Sequence, residues 1–290
     1  MKNYLFYNPL AGNGKSIDTI NMILDKKYRD TVFCDITETD NLAGFVTSLE
    51  PDDVIIICGG DGTLNNFINT VDTDALPNDI YFLPAGSGND FIHDLGYDTI
   101  NEPLKINDYI KNLPVLTVDG KNYKFLNGVG YGIDGYVCEE GNRLKKLKGK
   151  AINYTLIALK GLIYAFKPVN ATVYIDGKEF SYKKVWLVPS MKGKFFGGGM
   201  KIAPMQDRSN KDGTLSVIVA HNLSKLKITV LFLTIFKGEH IKFKKHVTVH
   251  TGNEIRVVFD RPCPMQIDGE TLSNVSEYSV KVPVHSVKSN

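Results

Sequence analysis

The sequence predicts an α/β domain built on a parallel sheet, followed by a β-rich domain. In the first third of the chain, short apolar runs alternate with segments whose apolar residues recur at helical spacing, an order typical of parallel sheets. From about Val115 onward, strand-like runs follow one another closely and are joined by tight turns. We expect two domains, 1–113 and 114–290, and leave open whether the last strand, near 278–290, returns to the first.

The elements of the first domain are predicted from their apolar patterns. Val54–Cys58 is a continuous β-branched run, typical of a strand buried on both faces of a sheet. Shorter runs predict three more strands: Tyr4–Tyr7, Thr31–Cys34 and Ile80–Leu83. Helical spacing predicts three helices with these apolar faces: Ile17–Leu24, Leu42–Leu49 and Leu64–Val71.

The second domain shows mainly strand signals. Asp176-Gly177, between the runs Ala171–Ile175 and Glu179–Tyr182, predicts a β-hairpin, because this dipeptide supplies the positive φ angles of a two-residue turn. Five further strands are predicted: Val185–Val188, Leu215–Val219, Val247–Thr251, Ile255–Phe259 and Tyr278–Val284. Two apolar stretches predict helices: Ile152–Phe166 and Ser224–Phe236.

Composition excludes several classes of protein. Among 290 residues, 43% are apolar and 23% charged, and a net charge of +2 is too small to indicate nucleic-acid binding. The cysteines form no CxxC pair, which argues against a zinc knuckle or disulfide framework and favours a reducing compartment. They are Cys34, Cys58, Cys138 and Cys263. Met1–Tyr7 has no signal-peptide pattern, and Ile228–Phe236, the longest apolar run, is far shorter than the roughly 20 residues of a membrane span. We therefore expect a cytoplasmic protein.

The first of three Gly-rich loops follows the first predicted strand and spans Asn8–Ser16. It is similar to a Walker A loop, but Pro9 stands where that pattern requires glycine, so it is not a P-loop. Gly12 and Gly14 allow backbone N–H groups to approach an anion at a helix N-terminus. The alternative is a plain strand-to-helix turn.

The second loop follows Val54–Cys58. It consists of Gly59, Gly60, Asp61, Gly62, Thr63, Leu64 and Asn65. Its glycines admit a phosphate chain against the backbone, and Thr63 can cap the helix or donate to a phosphate. The Asp61 carboxylate fits beside phosphates either with Mg²⁺ between them or as a base for an incoming hydroxyl. The alternative is a helix N-cap.

The third loop, Pro84–Phe91, contains Gly86 and Gly88 and follows the predicted strand Ile80–Leu83. Asn89 or Asp90 can cap the next helix, and Asp90 can instead reach a metal or an acceptor. Because ligands of open parallel sheets bind at the carboxyl ends of the strands, we expect the three loops to converge on one site.

At this point the chain resembles a known family. The segments NPLAGNGKS, GGDGTLNNFIN and LPAGSGNDF, in this order, are similar to the catalytic domain of diacylglycerol kinases and of related bacterial and sphingoid-base lipid kinases. The resemblance continues in FLNGVGYGIDGYV, GGGMKIAP, KDGTLSVIV and MQIDGE, and so covers nearly the whole chain. The second segment alone is shared with NAD kinases and phosphofructokinase-like enzymes.

The resemblance implies a nucleotide-binding α/β domain of the NAD kinase and phosphofructokinase type, a C-terminal β-sandwich, and an active site in the cleft between them. It implies that ATP phosphates are held by Asn8, Gly12, Gly14, Lys15, Gly88 and the loop Gly59–Asn65. Asp61 and Asp90 would join a Mg²⁺ and water network. Glu270 would be the general base, although Asp61 competes for that role.

A second, structural Mg²⁺ is implied at Asp212, with main-chain carbonyls of Ser209 and Thr214 as further ligands.

One departure from the family's pattern concerns Asp119. The family often has an acidic metal ligand in the strand before the FLN segment, whereas Asp119 lies in an apparent hairpin turn. Its place in the metal network is left open.

The resemblance implies an ATP-dependent lipid kinase, with diacylglycerol as the first expected acceptor and phosphatidic acid as the product. The alternatives are an NAD kinase or other soluble-substrate kinase, and a nucleotide-binding regulator that has lost catalysis. The expected partner is a lipid at the membrane surface, which the protein would contact peripherally and transiently at the inner face, and a homodimer is left open.

The basic segment Arg143–Lys150 is either a solvated face or a docking patch for anionic lipid. The segment Gly130–Gly135 fits GxGxxG, but it lacks the context of a dinucleotide site.

Overall fold

The computed structural model describes residues 1–9, 11–14, 20, 30–97, 102–148 and 152–283. The chain divides into two compact units, Met1–Leu113 and Pro114–Asn290. Each unit contains its own β-sheet.

The first unit contains the predicted parallel sheet. Its strands are β1 (Asn3–Tyr7), β2 (Thr31–Asp35), β3 (Val54–Gly59), β4 (Asp79–Pro84) and β5 (Leu104–Lys105). They lie in the order β2-β1-β3-β4-β5, and β1 to β4 are parallel, which confirms the predicted fold class. The edge strand β5 runs antiparallel to β4 and was not predicted, because two residues are too few to show a pattern.

Four described α-helices belong to this unit: α1 (Leu42–Thr47), α2 (Asp61–Thr70), α3 (Asp90–Asp94) and α4 (Asn107–Ile110). A short 3-10 helix, Ala11–Gly14, follows β1. Apart from Ile20, which is buried, the predicted helical face Ile17–Leu24 lies outside the described residues.

The central strand β3 is buried on both faces, as its continuous apolar run predicted. Ile56 and Cys58 pack with Leu5 and Leu83 on one face of the sheet, while Ile55 and Ile57 are buried on the other. Residues of a strand alternate between faces, so no polar position is left in the middle of β3. Polar and glycine residues appear where the strand ends, and this places the chemistry of the first unit at the sheet's carboxyl edge.

The second unit is built on one large sheet. Its strands are β6 (Val115–Val118), β7 (Lys121–Lys124), β8 (Gly128–Tyr131), β9 (Val169–Ile175), β10 (Lys178–Leu187), β11 (Ser190–Met191), β12 (Leu215–His221), β13 (Val247–Gly252), β14 (Glu254–Ile267) and β15 (Glu270–Lys281). The main order is β7-β6-β15-β14-β8-β11-β12-β10-β9, with β13 beside β12. The Asp176-Gly177 hairpin is confirmed: both residues have positive φ, 48° and 79°.

The sheet closes on itself through β14. Residues Ile255–Phe259 pair with β9, and residues Met265–Ile267 pair with β8, so β14 joins both ends of a ring of strands. Register shifts in its pairing with β15 separate these two parts, as expected where a strand bends between sheet layers. The sequence predicted only Ile255–Phe259, because Pro262 and Pro264 interrupt the pattern that follows.

The last strand belongs to the second unit. Strand β15 pairs with β14 and β6, so its described part, which includes residues 278–281, does not return to the first sheet. Residues 284–290 lie outside the described part of the chain.

The described helices of the second unit pack beside the sheet. They are α5 (Ile133–Lys148), α6 (Tyr154–Lys160), which continues as a π-helix (Gly161–Ala165), α7 (Lys225–Ile235) and the 3-10 helix Glu239–Lys242. Helix α5 was not predicted, since its second half is dominated by charged residues with a weak apolar pattern. Within the described ranges, no helix combines the length and apolarity needed to cross a bilayer.

Candidate active site

The three Gly-rich loops of the first unit lie side by side. They leave the carboxyl ends of β1, β3 and β4, which are parallel neighbours. The backbone N–H of Asn8 donates to the Cys58 carbonyl at 3.3 Å, and that of Ala85 donates to the Gly59 carbonyl at 2.8 Å. Hydrogen bonds therefore join the start of the first loop and the start of the third to the end of β3.

The second and third loops touch backbone to backbone at Gly60 and Gly86. A Cβ atom on Gly86 would lie 2.5 Å from the Cα of Gly60, and one on Gly60 would lie 3.1 Å from the Cα of Gly86. No side chain fits at Gly86 without moving a loop. Gly59 is similarly restricted, because a Cβ there would collide with the buried side chain of Thr63. Gly59 and Gly60 were predicted to contact phosphate, and the structure shows that Gly60 and Gly86 also allow the two loops to meet.

Asp61 links the same two loops through its carboxylate. Its Oδ2 accepts a hydrogen bond from the backbone N–H of Asp90 at 2.9 Å, and its Oδ1 accepts one from Phe91 at 3.0 Å. Asp61 thus caps α3, although it is itself the first residue of α2. The N-cap of α2 is Gly60, which offers no side-chain hydrogen bond, so the alternative prediction of an N-cap for its own helix is wrong.

The remaining predicted residues of these loops differ in burial. Thr63, Asn65 and Asp90 are buried at 6%, 6% and 5% exposure. Gly62 lies in the first turn of α2, and Gly88 lies in the loop before α3. The first loop is described only in part. Gly12 has a positive φ of 59° and Gly14 ends the 3-10 helix, while Lys15 lies outside the described residues.

Asn89 is a polar residue of the third loop that the sequence analysis considered only as a cap. It occupies the N-cap position of α3 with a left-handed backbone and makes no side-chain cap bond. Its Nδ2 donates to the Gly86 carbonyl at 3.1 Å, while its Oδ1 is buried without a hydrogen-bond partner in the described part of the chain. An acceptor of this kind beside the Gly60–Gly86 contact is suited to a ligand or water with a hydrogen-bond donor.

In the second unit, the predicted base Glu270 directly follows a two-residue turn. Asp268 and Gly269 have φ angles of 45° and 96° and connect β14 to β15. Glu270 is the first residue of β15, and its side chain is exposed. The Glu270 carboxylate is therefore accessible at the tip of a short hairpin.

Asp268 holds this turn against the FLN segment. Its carboxylate accepts three backbone hydrogen bonds, from Leu126 at 2.6 Å and from Asn127 and Gly128 at 2.9 Å each. Arg208, which is buried, supports the same segment by donating to the Leu126 carbonyl and to Asn127 Oδ1. Neither residue was predicted to have a role. The Asp-Gly dipeptide predicts the turn, but the partners of its carboxylate are 140 to 142 positions away.

Asp134, at the start of α5, is a buried acid that was not predicted as a site residue. It is 8% exposed, and neither carboxylate oxygen has a hydrogen-bond partner among the described residues. Burial raises the pKa of Asp134 to about 7, and the nearby backbone N–H groups of Gly135 and Asp134 oppose only part of that rise. Neither N–H reaches hydrogen-bond geometry with the carboxylate. Perturbed acids of this kind are common at functional sites.

Gln266 lies over the same glycine as Asp134 and also contacts the turn that carries Glu270. A Cβ on Gly130 would collide with Asp134 Oδ2 and with Gln266 Nε2, so both side chains lie over that glycine. Gln266 Oε1 accepts a hydrogen bond from the Gly269 N–H at 2.8 Å. Strand β8 pairs antiparallel with β11 and β14, so Gly130–Gly135 does not open a parallel βαβ unit.

The predicted structural metal ligands lie in the loop before β12. Asp212 is exposed, and the Thr214 carbonyl already accepts hydrogen bonds from Gln206 Nε2 at 2.9 Å and Asn210 Nδ2 at 3.0 Å. Asn210 Oδ1 is buried without a hydrogen-bond partner in the described ranges. Such an oxygen suits a hard cation, so the loop fits Mg²⁺, and Asp212, Ser209 and Thr214 stay the predicted ligands. No group of three or more His, Cys, Asp or Glu residues suited to a metal occurs among the described residues.

Asp119 lies in the turn between β6 and β7, where it and Gly120 have φ angles of 49° and 73°. The hairpin turn inferred from the sequence is confirmed.

Each of the two units matches the model of a known protein family. The diacylglycerol kinase catalytic domain matches residues 2–119, and the YegS C-terminal NAD kinase beta sandwich-like domain matches residues 127–285. A diacylglycerol kinase of Mycobacterium tuberculosis is 27% identical over 281 residues, covering 89% of this chain and 88% of that protein. A diacylglycerol kinase of Bacillus subtilis is 25% identical, covering 92% and 88%.

The fold is also similar to a crystal structure of a diacylglycerol kinase from Bacillus anthracis, with a TM-score of 0.67 and 20% identity over 97% of this chain and 93% of that one. This likeness agrees with the predicted α/β unit and C-terminal β-sandwich. Apart from Phe125 and Leu126, the two domain matches cover the segments that carried the resemblance in the sequence. The chain therefore belongs to the diacylglycerol kinase catalytic-domain family and is an ATP-dependent kinase.

Proposed function

We propose that this kinase transfers the γ-phosphoryl group of ATP to the hydroxyl group of a membrane lipid, in the first place diacylglycerol, giving phosphatidic acid. The observation that supports this most is the pair of family matches over residues 2–119 and 127–285, together with relatives named diacylglycerol kinase. The joined Gly-rich loops of the first unit and the exposed carboxylate of Glu270 supply the chemistry that such a transfer needs.

The first unit is proposed to bind the nucleotide. Backbone N–H groups of the loops at Asn8–Lys15, Gly59–Asn65 and Gly88 would donate to phosphate oxygens, since glycines let the backbone approach closely and α2 starts at this edge. When bound, Mg²⁺–ATP supplies the transferable phosphoryl group with part of its charge neutralised. In the described part of the chain, each Asp61 oxygen accepts one backbone hydrogen bond and so keeps a lone pair for a metal-bound water, as expected for a network that includes Asp90.

The second unit is proposed to supply the base. A lipid hydroxyl has a pKa far above neutral, so its proton must pass to an acceptor as the phosphoryl group is transferred. A positioned carboxylate contributes roughly 10²- to 10⁴-fold to such a step. Glu270 suits this role better than Asp61, because each Asp61 oxygen accepts a hydrogen bond from the backbone of α3 and its remaining lone pair is assigned to the metal-bound water, whereas Glu270 is exposed. The loop with Asn210 and Asp212 is proposed to hold a structural Mg²⁺.

The proposal is tested by a transfer assay with γ-labelled ATP. The acceptors are diacylglycerol, a sphingoid base and undecaprenol in mixed micelles, with NAD as the soluble alternative and a reaction without acceptor as the control. We expect label in phosphatidic acid above all other products. Labelled NADP with no labelled lipid would overturn the proposal in favour of a soluble-substrate kinase, and no transfer to any acceptor would favour a nucleotide-binding regulator.

A further inference from the structure

Two glycines of the segment Gly130–Gly135 allow the start of α5 to pack closely against the sheet. A Cβ atom on Gly135 would lie 2.1 Å from the Pro264 carbonyl oxygen of β14. One on Gly132, whose φ is 115°, would lie 2.5 Å from the Trp186 carbonyl oxygen of β10. No side chain fits at either position unless the backbone moves. The GxGxxG pattern therefore serves the packing of a helix on a sheet, and it places the first residues of α5 in the protein interior.

The Asp134 carboxyl group and the Gln266 amide lie together over Gly130, the remaining glycine of that segment. Strands β8 and β14 pair Gly130 with Gln266, and a Cβ on Gly130 would lie 1.8 Å from Asp134 Oδ2 and 2.6 Å from Gln266 Nε2. Asp134 is 8% exposed and Gln266 is 2% exposed. Both carboxyl oxygens and the amide Nε2 are buried without a hydrogen-bond partner among the described residues. Because little water screens them, the carboxyl group acts electrostatically on the amide beside it.

The Gln266 amide has a defined orientation. Its Oε1 accepts a hydrogen bond from the Gly269 N–H at 2.8 Å, while its Nε2 lies on the side of Asp134. A flip of the amide would bring Oε1 toward the carboxyl oxygens and would remove the acceptor of the Gly269 N–H. Oxygen acceptors repel one another, whereas an N–H group is attracted to an oxygen. Asp134 therefore favours the orientation in which Gln266 binds the turn.

The turn that Gln266 binds presents the proposed base. Asp268 fixes the start of this turn to the segment Leu126–Gly128. Gln266 binds the peptide N–H of Gly269, directly before Glu270. Without that hydrogen bond, Asp268 would still anchor the turn, but the peptide next to Glu270 could rotate. A displacement of about 1 Å at a reacting group can lower a rate roughly 10²-fold.

Helix α5 runs beside the start of β15, so Asp134 and Glu270 belong to one region of the second unit. Asn142 Nδ2 on α5 donates to Thr271 Oγ1 on β15 at 3.0 Å. Cys138 follows Asp134 by one helical turn. Burial raises the pKa of Cys138 to about 12, and both Asp134 and Glu270 are near enough to add to this rise. The carboxyl group therefore lies close to the part of the unit that carries the proposed base.

We propose that Asp134 is a positioning residue of this kinase, which orients the Gln266 amide and thereby holds the turn that presents Glu270. The inference rests on the proposed role of Glu270 as the base. Asp134 acts through Gln266 and is assigned no contact with ATP or the acceptor. Both protonation states suit this role, because a neutral carboxyl group keeps a carbonyl oxygen as an acceptor. The alternative is a residue that serves stability alone.

The experiment compares variants of the full chain by turnover of diacylglycerol in mixed micelles and by urea unfolding followed by Trp186 fluorescence. Asp134→Leu removes both oxygens at similar side-chain size, and Asp134→Asn restores one oxygen acceptor. Gln266→Leu removes the amide, and the double variant Asp134→Leu/Gln266→Leu tests whether the two residues act through one contact. Glu140→Leu is the control, because Glu140 is a carboxylate of the same helix that pairs with Arg143.

We expect Asp134→Leu to lose roughly ten-fold or more in kcat, with ATP affinity within about two-fold of the wild type. It should be no less stable, because an unpaired buried polar group is replaced by an apolar one. A residue that serves stability alone would not separate these two readouts. Asp134→Asn should recover most of the lost kcat. The double variant should lose no more than Gln266→Leu, since both changes affect the same hydrogen bond.

Three results would overturn the proposal: normal kcat in Asp134→Leu, an equal loss in Asp134→Asn, or losses that multiply in the double variant. Glu140→Leu should keep kcat within about two-fold of the wild type. If the wild type transfers phosphate to no acceptor, the proposed function fails, and hydrogen exchange of the Gly269 amide decides the inference. Exchange roughly ten-fold faster in Asp134→Leu but unchanged in Glu140→Leu supports it, and equal exchange in all three proteins contradicts it.

Discussion

Each unit contains an Asp-Gly dipeptide whose carboxylate fixes a distant segment, but the two dipeptides differ in backbone conformation. They are Asp61-Gly62 in the first unit and Asp268-Gly269 in the second. Asp61 opens a helix and accepts two backbone hydrogen bonds from α3. Asp268 lies in a left-handed hairpin turn and accepts three from the segment Leu126–Gly128. In each unit, one carboxylate fixes a segment distant in sequence. A motif that suggests catalysis can therefore hold loops together first.

Asp268→Asn should have the largest effect on stability. The amide cannot replace an anion that accepts three N–H groups, and a hydrogen bond to a charged group contributes about 1.5–3 kcal/mol. We expect the second unit to lose about 4 kcal/mol. Trp186, the single tryptophan, is buried in this unit, so its fluorescence during urea unfolding measures the change.

The exposed Glu179, changed to Gln, is the control for Asp268→Asn and should leave the transition in place. An unchanged midpoint in Asp268→Asn would mean that the three hydrogen bonds do not hold the turn. Asp268 would then not share with Asp61 the task of fixing a distant segment.

The buried Asp134 should make the stability of the second unit depend on pH. Its pKa is about 7 in the folded protein and 3.8 in an unfolded chain, so the folded state binds more protons between these values and stability falls as pH rises. Between pH 5 and pH 8 the wild type should lose about 3 kcal/mol relative to Asp134→Asn. Urea unfolding at both pH values, followed by Trp186 fluorescence, checks this.

Cys138 and Tyr278, which lie near Asp134, do not titrate in that window. Burial raises the pKa of Cys138 to about 12, with smaller contributions from Asp134 and Glu270, and burial also raises the pKa of Tyr278. A wild type and an Asp134→Asn variant with parallel pH dependence would show that Asp134 is paired or hydrated in solution.

How far could these features be predicted from sequence? Strand β3 and the Asp176-Gly177 hairpin were found because their signals are local, an unbroken apolar run and a turn dipeptide. The convergence of the three loops followed from the parallel order of their strands. Neither the cap from Asp61 to α3 nor the burial of Asp134 has a local signal, because each depends on chain segments that meet only in the folded protein. Helix α5 was missed since charged residues obscure its apolar face.

Asp61→Asn should have a smaller, local effect. The backbone N–H groups of Asp90 and Phe91 would lose a charged acceptor, and we expect their hydrogen exchange to accelerate roughly 30-fold, which corresponds to about 2 kcal/mol. Hydrogen exchange resolved at these amides measures the effect. Asp52→Asn, on an exposed turn, is the matched control. Unchanged protection of the amides of residues 90 and 91 would mean that the Asp61 carboxylate does not cap α3.

The division of tasks between the units is tested most directly at Glu270. Glu270→Gln removes the proposed base but keeps the shape of the side chain, and Glu277→Gln, on the same strand and paired with Arg256, is the control. Turnover with diacylglycerol and ATP affinity by calorimetry are measured on the same preparations. We predict a loss of kcat of roughly 10²-fold or more with ATP affinity within about two-fold of the wild type. Normal turnover in Glu270→Gln would contradict the account.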